Sequence, residues 1–206
     1  MSKTVGNVLN PFDAIRHYGT EPLRYFLMRE IPFYGDGDFS HARFLDRYNG
    51  DLANELGNLL NRAVAMTERY LDGVVPKIVE YDVRSTWTDY RAAMEELRFA
   101  DALAAVWSLV RDMNKFIDDK EPWKLGKMDD KTSVGEVLYV LLESLRHVAW
   151  MLLPFMPRAA VNMFEQIGTS FESEARVALG DACKWGGLAQ GAKVKKGELL
   201  FPRRDT

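Results

Sequence analysis

The chain has 206 residues, 47% hydrophobic and 28% charged, and its 27 Lys and Arg against 30 Asp and Glu leave a formal charge of −3. This is the composition of one globular domain with room for appendages; it excludes a disordered, collagenous or mucin-like chain, and the charge excludes nucleic-acid binding by bulk attraction, so such binding must rest on a local patch. The single cysteine, Cys183, excludes a disulfide framework and points to a reducing, cytoplasmic setting. The longest apolar run, from Val148 to Met156, falls far short of the roughly 20 residues that cross a bilayer, so no membrane partner is expected. No basic segment followed by an apolar stretch opens the chain, so no secretory signal is read there.

Residues 1–42 are broken by Gly6, Pro11, Gly19, Pro22, Pro32, Gly35 and Gly37 and fit short helices at 12–18 and 21–29. From 46 to 70, Tyr48, Leu52, Leu56, Leu59, Leu60 and Ala63 recur at helical spacings, and the stretch 73–76, with its Gly and Pro, ends that helix. From 87 to 117 the stripe is Tyr90, Ala93, Leu97, Ala100, Leu103, Trp107, Val110, Met113 and Ile117. Its alternation of three and four suits antiparallel bundle packing, with Ser85 or Thr86 as a cap. Residues 118–122 break the pattern at Pro122. A further helix is predicted over 134–153, apolar all round at its end, followed by Pro154, Pro157 and a shorter helix over 158–167. The tail after Gly168 is rich in glycine and lysine and closes on Leu199-Leu200-Phe201-Pro202, a short strand or docked arm. The fold class is therefore all-α: an antiparallel helix bundle over 43–168, preceded by an irregular segment over 1–42 and followed by an arm over 169–206.

Several chemistries are absent from the sequence. There is no Gly-x-Ser-x-Gly elbow and no P-loop. Gly35-Asp36-Gly37-Asp38 lacks the remaining ligands of a calcium loop and reads as a turn. Three scattered histidines and one cysteine offer no zinc set, and no pair of Glu-x-x-His motifs marks a di-iron bundle, so no metal site is expected. His147 reads as a structural or surface histidine.

Two features point to RNA. At about 100° per residue, Asn54, Asn58, Asn61 and Arg62 fall opposite or beside the apolar face of the 46–70 helix. Asparagine is a poor interior helix residue, because its amide competes for backbone hydrogen bonds. The face is either simply solvated or a reader of unstacked bases, whose edges amides and a guanidinium can pair. Trp123 is the second feature. Trp107 and Trp150 lie in apolar surroundings, Trp87 opens a helix and Trp185 can pin the tail, whereas Trp123 follows Glu121-Pro122 away from any apolar period. An exposed aromatic held by a proline in a loop is a platform for a splayed base. Lys120, Lys124 and Lys127 add positive charge suited to a phosphate backbone.

Met1-Ser2-Lys3-Thr4-Val5-Gly6-Asn7-Val8-Leu9-Asn10-Pro11 resembles the Lys-Met-Ser-Lys-Ser loop of class I aminoacyl-tRNA synthetases, from its second position onward. The segment from Ala14 to Leu27 is similar to the stretch after that loop in the methionine, valine, leucine and isoleucine enzymes. The runs from Phe33 to Ser40 and from Asp51 to Arg62, then Lys120-Glu121-Pro122-Trp123-Lys124 and Leu200-Phe201-Pro202-Arg203, look like the methionine branch. The chain is thereby identified as a member of the methionyl-tRNA synthetase family, covering its C-terminal part. The resemblance implies a signature loop and stem-contact segment over 1–42, an anticodon-binding bundle over 43–168 and an arm packing back over 169–206. It implies that Lys3, with Ser2, meets ATP phosphates and the charge building on departing pyrophosphate, and that Asn54, Asn58 and Arg62 contact the anticodon; Asn54 could equally orient its neighbours, and Asn61 is read as merely exposed. The implied partners are methionine tRNA with anticodon CAU and an upstream catalytic domain. ATP with Mg2+ belongs to the complete enzyme, and this chain alone is expected to bind neither and to be inactive. The alternative is a freestanding helical RNA-binding or interaction module derived from such a domain.

Overall fold

A computed structural model describes residues 10–31, 37, 39–128 and 130–205. Helix α1, Pro11–Tyr18, starts with Pro11 in its first turn and the Asn10 side chain accepting from Phe12 N at 3.0 Å. It ends at Gly19, whose φ of 86° only glycine adopts readily. Helix α2, Thr20–Glu30, comes next without a gap. Helix α3, His41–Arg47, is capped by the Ser40 hydroxyl at 3.3 Å and runs without interruption into a π-helix, Tyr48–Gly57, and then α4, Asn58–Leu71. The sequence predicts uniform α-helix here, and the wider winding is a departure from it. Tyr48, Asp51, Leu52, Leu56 and Gly57 all turn inward in the π-helix. Buried Asp51 accepts from Tyr25 Oη at 2.5 Å and from Arg47 at 3.1 Å, and Arg47 also pairs with Glu30. A charged residue that the α-periodicity sends to solvent is thus a partner of α2.

The single helix expected over 87–117 is two. Helix α5, Arg84–Glu95, and α6, Phe99–Lys120, form a hairpin turned at Leu97, which has φ 57° and is 44% exposed although its place in the stripe pointed inward. The cap is not Ser85 or Thr86: the helix begins earlier, and Asp82 Oδ1 accepts from Arg84 N at 2.9 Å. Helix α7, Pro122–Lys127, is short; α8, Lys131–Leu152, is capped by Asp130 and buried on nearly every side; α9, Pro157–Ile167, packs against it. Two single-turn helices, α10 (Phe171–Glu174) and α11 (Leu179–Ala182), lead into the arm. Helix α8 is the hub, packed by α4, α6, α7 and α9, with Trp107 fully buried and its ring 4.7 Å from that of Tyr25. The segment before the bundle is joined to it through Glu21, whose carboxylate accepts from Arg158 N and Ala159 N at the start of α9.

The tail docks as an arm; among the described residues its only β contact is a bridge from Lys193 to Val74. A buried carboxylate, Glu143 on α8, accepts from Gly186 N, Gly187 N and Leu188 N at 2.8–3.0 Å and from Arg146 Nε at 3.0 Å. Arg146 reaches on to Glu174 and to the carbonyls of Ala182 and Lys184. Burial opposes the Glu143 charge, but the His147 imidazole, with Nε2 3.4 Å from Oε1, and the hydrogen-bonded Arg146 guanidinium outweigh it and bring the carboxyl down to about 2. His147 is structural: it is fully buried, accepts from Trp87 Nε1 at 2.9 Å and stacks on Trp185. Trp185 pins the tail by donating to Val79 O.

Candidate nucleic-acid interface

Asn54 at the end of the π-helix and Asn58 at the start of α4 are both exposed, and Asn61 is half-buried. One turn beyond Asn58, the half-buried Arg62 donates from Nη2 to Asp118 Oδ1 on α6 at 2.8 Å, and its guanidinium carbon lies 5.9 Å from the centre of the Trp123 ring on α7. That is cation–π range. Residues from three helices thus converge, and Arg62 connects the asparagine face to the aromatic.

Trp123 is not the free loop residue that the sequence predicts. It is the second residue of α7, half-buried and packed against the core. Glu121, at φ 44°, ends α6, and buried Pro122 opens α7 immediately. A side chain at Gly126 would run into the Tyr70 ring of α4, so the missing Cβ lets α7 sit directly on that ring. The indole is therefore held with one part of its surface packed and another open beside Arg62. The lysines differ among themselves. Lys124 pairs with Glu121 at 2.7 Å, Lys120 lies over the Phe116 ring at 5.7 Å, and Lys127 is exposed. Glu55, next to Asn54, has its carboxyl pushed up by burial and by the Asp51 charge.

The arm supplies residues that the sequence did not single out. Leu199, Leu200, Phe201 and Arg203 face Asn54, Asn58 and Asn61 across a groove of about 400 Å3. The available signal was the Leu-Phe-Pro-Arg run closing a polar tail; nothing in the sequence places it against α4. Asp118 was likewise not singled out. Ser2 and Lys3 lie outside the described residues, as do Gly35, Asp36 and Asp38, where the sequence predicts a turn. Among the described residues no cluster of His, Cys, Asp or Glu is arranged to hold a metal ion, and no helix is long and apolar enough to cross a membrane.

Comparison with known proteins shows the family and the fold. Residues 1–64 match the family of class I tRNA synthetases (M), and residues 69–205 match the anticodon binding domain of methionyl tRNA ligase. The methionine–tRNA ligase of Caldanaerobacter subterraneus is 43% identical over the whole chain, which corresponds to 33% of that protein. That of Bacillus subtilis is 42% identical, again over the whole chain and 32% of its own length. The chain therefore spans about a third of these relatives. The crystal structure of apo Mycobacterium tuberculosis methionyl-tRNA synthetase superposes with a TM-score of 0.84 at 29% identity, covering 97% of this chain and 42% of that one. The same enzyme with methionyl-adenylate gives 0.82 at 31% identity, covering 98% and 41%.

Proposed function

The chain belongs to the methionyl-tRNA ligase family, spanning the end of its class I domain and its anticodon-binding region, and from that premise we propose that the face carrying Asn54, Asn58, Arg62 and Trp123 reads the CAU anticodon of methionine tRNA. The observation that carries this reading is the Arg62 guanidinium lying 5.9 Å from the centre of the Trp123 ring, on the helix turn that follows the exposed Asn58. Unstacked bases are recognised by amide and guanidinium groups on their edges and by aromatic faces beneath them, and this cluster holds both. Asp118 keeps Arg62 extended over the indole, so a base edge takes over a donor already in position. Lys120, Lys124 and Lys127 supply charge for the phosphates flanking the loop; Lys124 exchanges Glu121 for a phosphate oxygen. Lys3, with Ser2, serves ATP phosphates in the complete cytoplasmic enzyme, where ATP with Mg2+ and methionine meet on the remainder of the class I domain. This chain by itself activates no methionine.

The test is binding of a CAU stem-loop and of loops with altered anticodons. Trp123→Ala is expected to weaken the CAU loop by roughly 1–3 kcal/mol, the worth of one stacked base, and Trp123→Phe to recover part. Arg62→Ala should weaken CAU and reduce discrimination. Lys124→Ala should weaken all loops alike and lower the salt slope by about one. A Trp123→Ala chain that is folded by circular dichroism and binds CAU as tightly as wild type refutes the stacking role. A wild-type chain that does not distinguish CAU from altered loops supports the freestanding module instead.

A further inference from the structure

We propose that Arg204 is a positioning residue: it fastens the end of helix α1 to the arm that walls the anticodon groove, so that filling the groove steadies α1. The coupling half of this inference rests on the reading of the groove as an RNA site; the fastening half does not.

The arm runs beside the π-helix to its start. It passes Gly57 closely: a Cβ there would meet the Phe201 backbone in ordinary contact at 3.8 Å, while its tight approach, 3.0 Å, would be to Leu52 O of the π-helix itself. Phe201 packs edge-on against Tyr48, whose hydroxyl donates to Pro202 O at 2.9 Å. Asn49 then holds the backbone of Arg204 from both sides: its Oδ1 accepts from Arg204 N at 3.0 Å and its Nδ2 donates to Arg204 O at 2.9 Å. With the backbone so fixed, the guanidinium lies over the Tyr48 ring, 4.9 Å from its centre. It donates from Nη1 to His17 O at 2.7 Å and from Nη2 to Tyr18 O at 3.0 Å.

Those two carbonyls are the last of α1. The final carbonyls of a helix have no partner within it, and a cation there complements the helix dipole. Helix α1 has eight residues, too few to persist by its own backbone bonds, so its order depends on what holds it. Tyr18 is one anchor, buried and bonded to His41 Nδ1 at 2.8 Å. Ala14, also buried, is a second, and Arg204 is the one that comes from the arm. Leu199, Leu200, Phe201 and Arg203, just before it, line the groove. A loop pressed between them and the asparagine face restrains the arm, and through Asn49 and the guanidinium it restrains the end of α1.

The experiment is amide hydrogen exchange over residues 11–19 in the 206-residue chain, wild type, Arg204→Ala and Arg204→Lys, with and without a CAU stem-loop. Without RNA, Arg204→Ala should speed exchange in α1 by about tenfold, as for loss of charge-assisted bonds at an otherwise weakly held element. Arg204→Lys, with its cation but no planar fork, should fall between. Saturating CAU loop should slow α1 exchange several-fold in wild type and leave it unchanged in Arg204→Ala at matched occupancy, a readout that a merely structural arginine does not produce. Equal α1 exchange in wild type and Arg204→Ala overturns the fastening. RNA-dependent protection that persists in Arg204→Ala overturns its role in the coupling. If wild type binds no loop, the RNA reading and the coupling built on it fail, while the RNA-free comparison still decides the fastening.

Discussion

Replacing Glu143 by glutamine keeps the shape of the side chain and removes its charge. In the native chain Oε1 takes hydrogen bonds from Arg146 Nε and Nη2, Gly186 N and Gly187 N, and Oε2 takes one from Leu188 N. Glutamine offers one acceptor oxygen and turns an NH2 group toward donors. Removing one partner of a buried pair costs about 3–5 kcal/mol, and Glu174, which still accepts from Arg146 Nη1 at 3.0 Å, places Glu143→Gln at the low end. An independent route agrees: a carboxyl that titrates at about 2 rather than 4.5 contributes about 3 kcal/mol at neutral pH. For a chain of this size that corresponds to a Tm lower by about 6–12 °C. The assay is a thermal melt with amide exchange, and the amides of Gly186, Gly187 and Leu188 should lose protection before the interior of α8 does. Glu172→Gln is the control: its pair with Arg176 is exposed on both sides and should matter by less than about 1 kcal/mol. If Glu143→Gln melts with wild type and keeps the three amides protected, the clasp contributes nothing and the reasoning is wrong.

Acid should weaken the chain in two stages. Burial, with the Arg146 charge, lowers the affinity of His147 for a proton against the pull of Glu143, so the unfolded chain binds that proton more readily. The His147 contribution is full above its ordinary 6.5 and is lost as pH falls through the lowered folded value. The Glu143 contribution is full above 4.5 and is lost as pH falls toward about 2. Urea midpoints should therefore start to drop below about pH 6.5, and His147→Gln, which keeps an acceptor for Trp87, should flatten the first stage; an unchanged slope in that variant assigns it elsewhere. Trp107→Ala should cost about 3–5 kcal/mol, as expected for emptying a fully buried aromatic site, whereas Asn58→Ala, exposed, should change stability by only about 0.5 kcal/mol. Global unfolding by Asn58→Ala would make the asparagine face structural.

What the sequence showed and what it hid divide along a physical line. Helices announce themselves when side chains alternate between core and solvent, as along α4; α8, buried on nearly every side, showed instead by its apolar density, and α1, α2 and α9 by the Pro and Gly residues that bound them. The π-helix was not, because Tyr48, Leu52 and Leu56 fit either winding and the residue that betrays it, Asp51, is a buried charge. The α5–α6 hairpin was hidden because Leu97 continues the apolar stripe while its backbone turns back. At the candidate site, Asn58, Arg62 and Trp123 were visible because amides, a guanidinium and a stray aromatic are conspicuous chemistry. Asp118 was not, since its partner lies 56 residues away. The arm was least legible of all: Glu143 grips it through the amides of Gly186, Gly187 and Leu188, and backbone amides leave no mark in a sequence.

That concealment bears on function. The groove wall formed by Leu199, Leu200, Phe201 and Arg203 belongs to no helix. It is held by polar bonds along its course, from the Glu143 carboxylate, through Gln166, which donates to Glu198 O, to Asn49 and the α1 carbonyls, and by Phe201 buried against Tyr48. A wall held by directional bonds is placed by geometry as well as by the apolar surface it covers. Changes at Glu143 or Asn49, outside the residues lining the groove, should thus alter its width before they alter the bundle, while the opposite wall, built on the π-helix and α4, stays with the core.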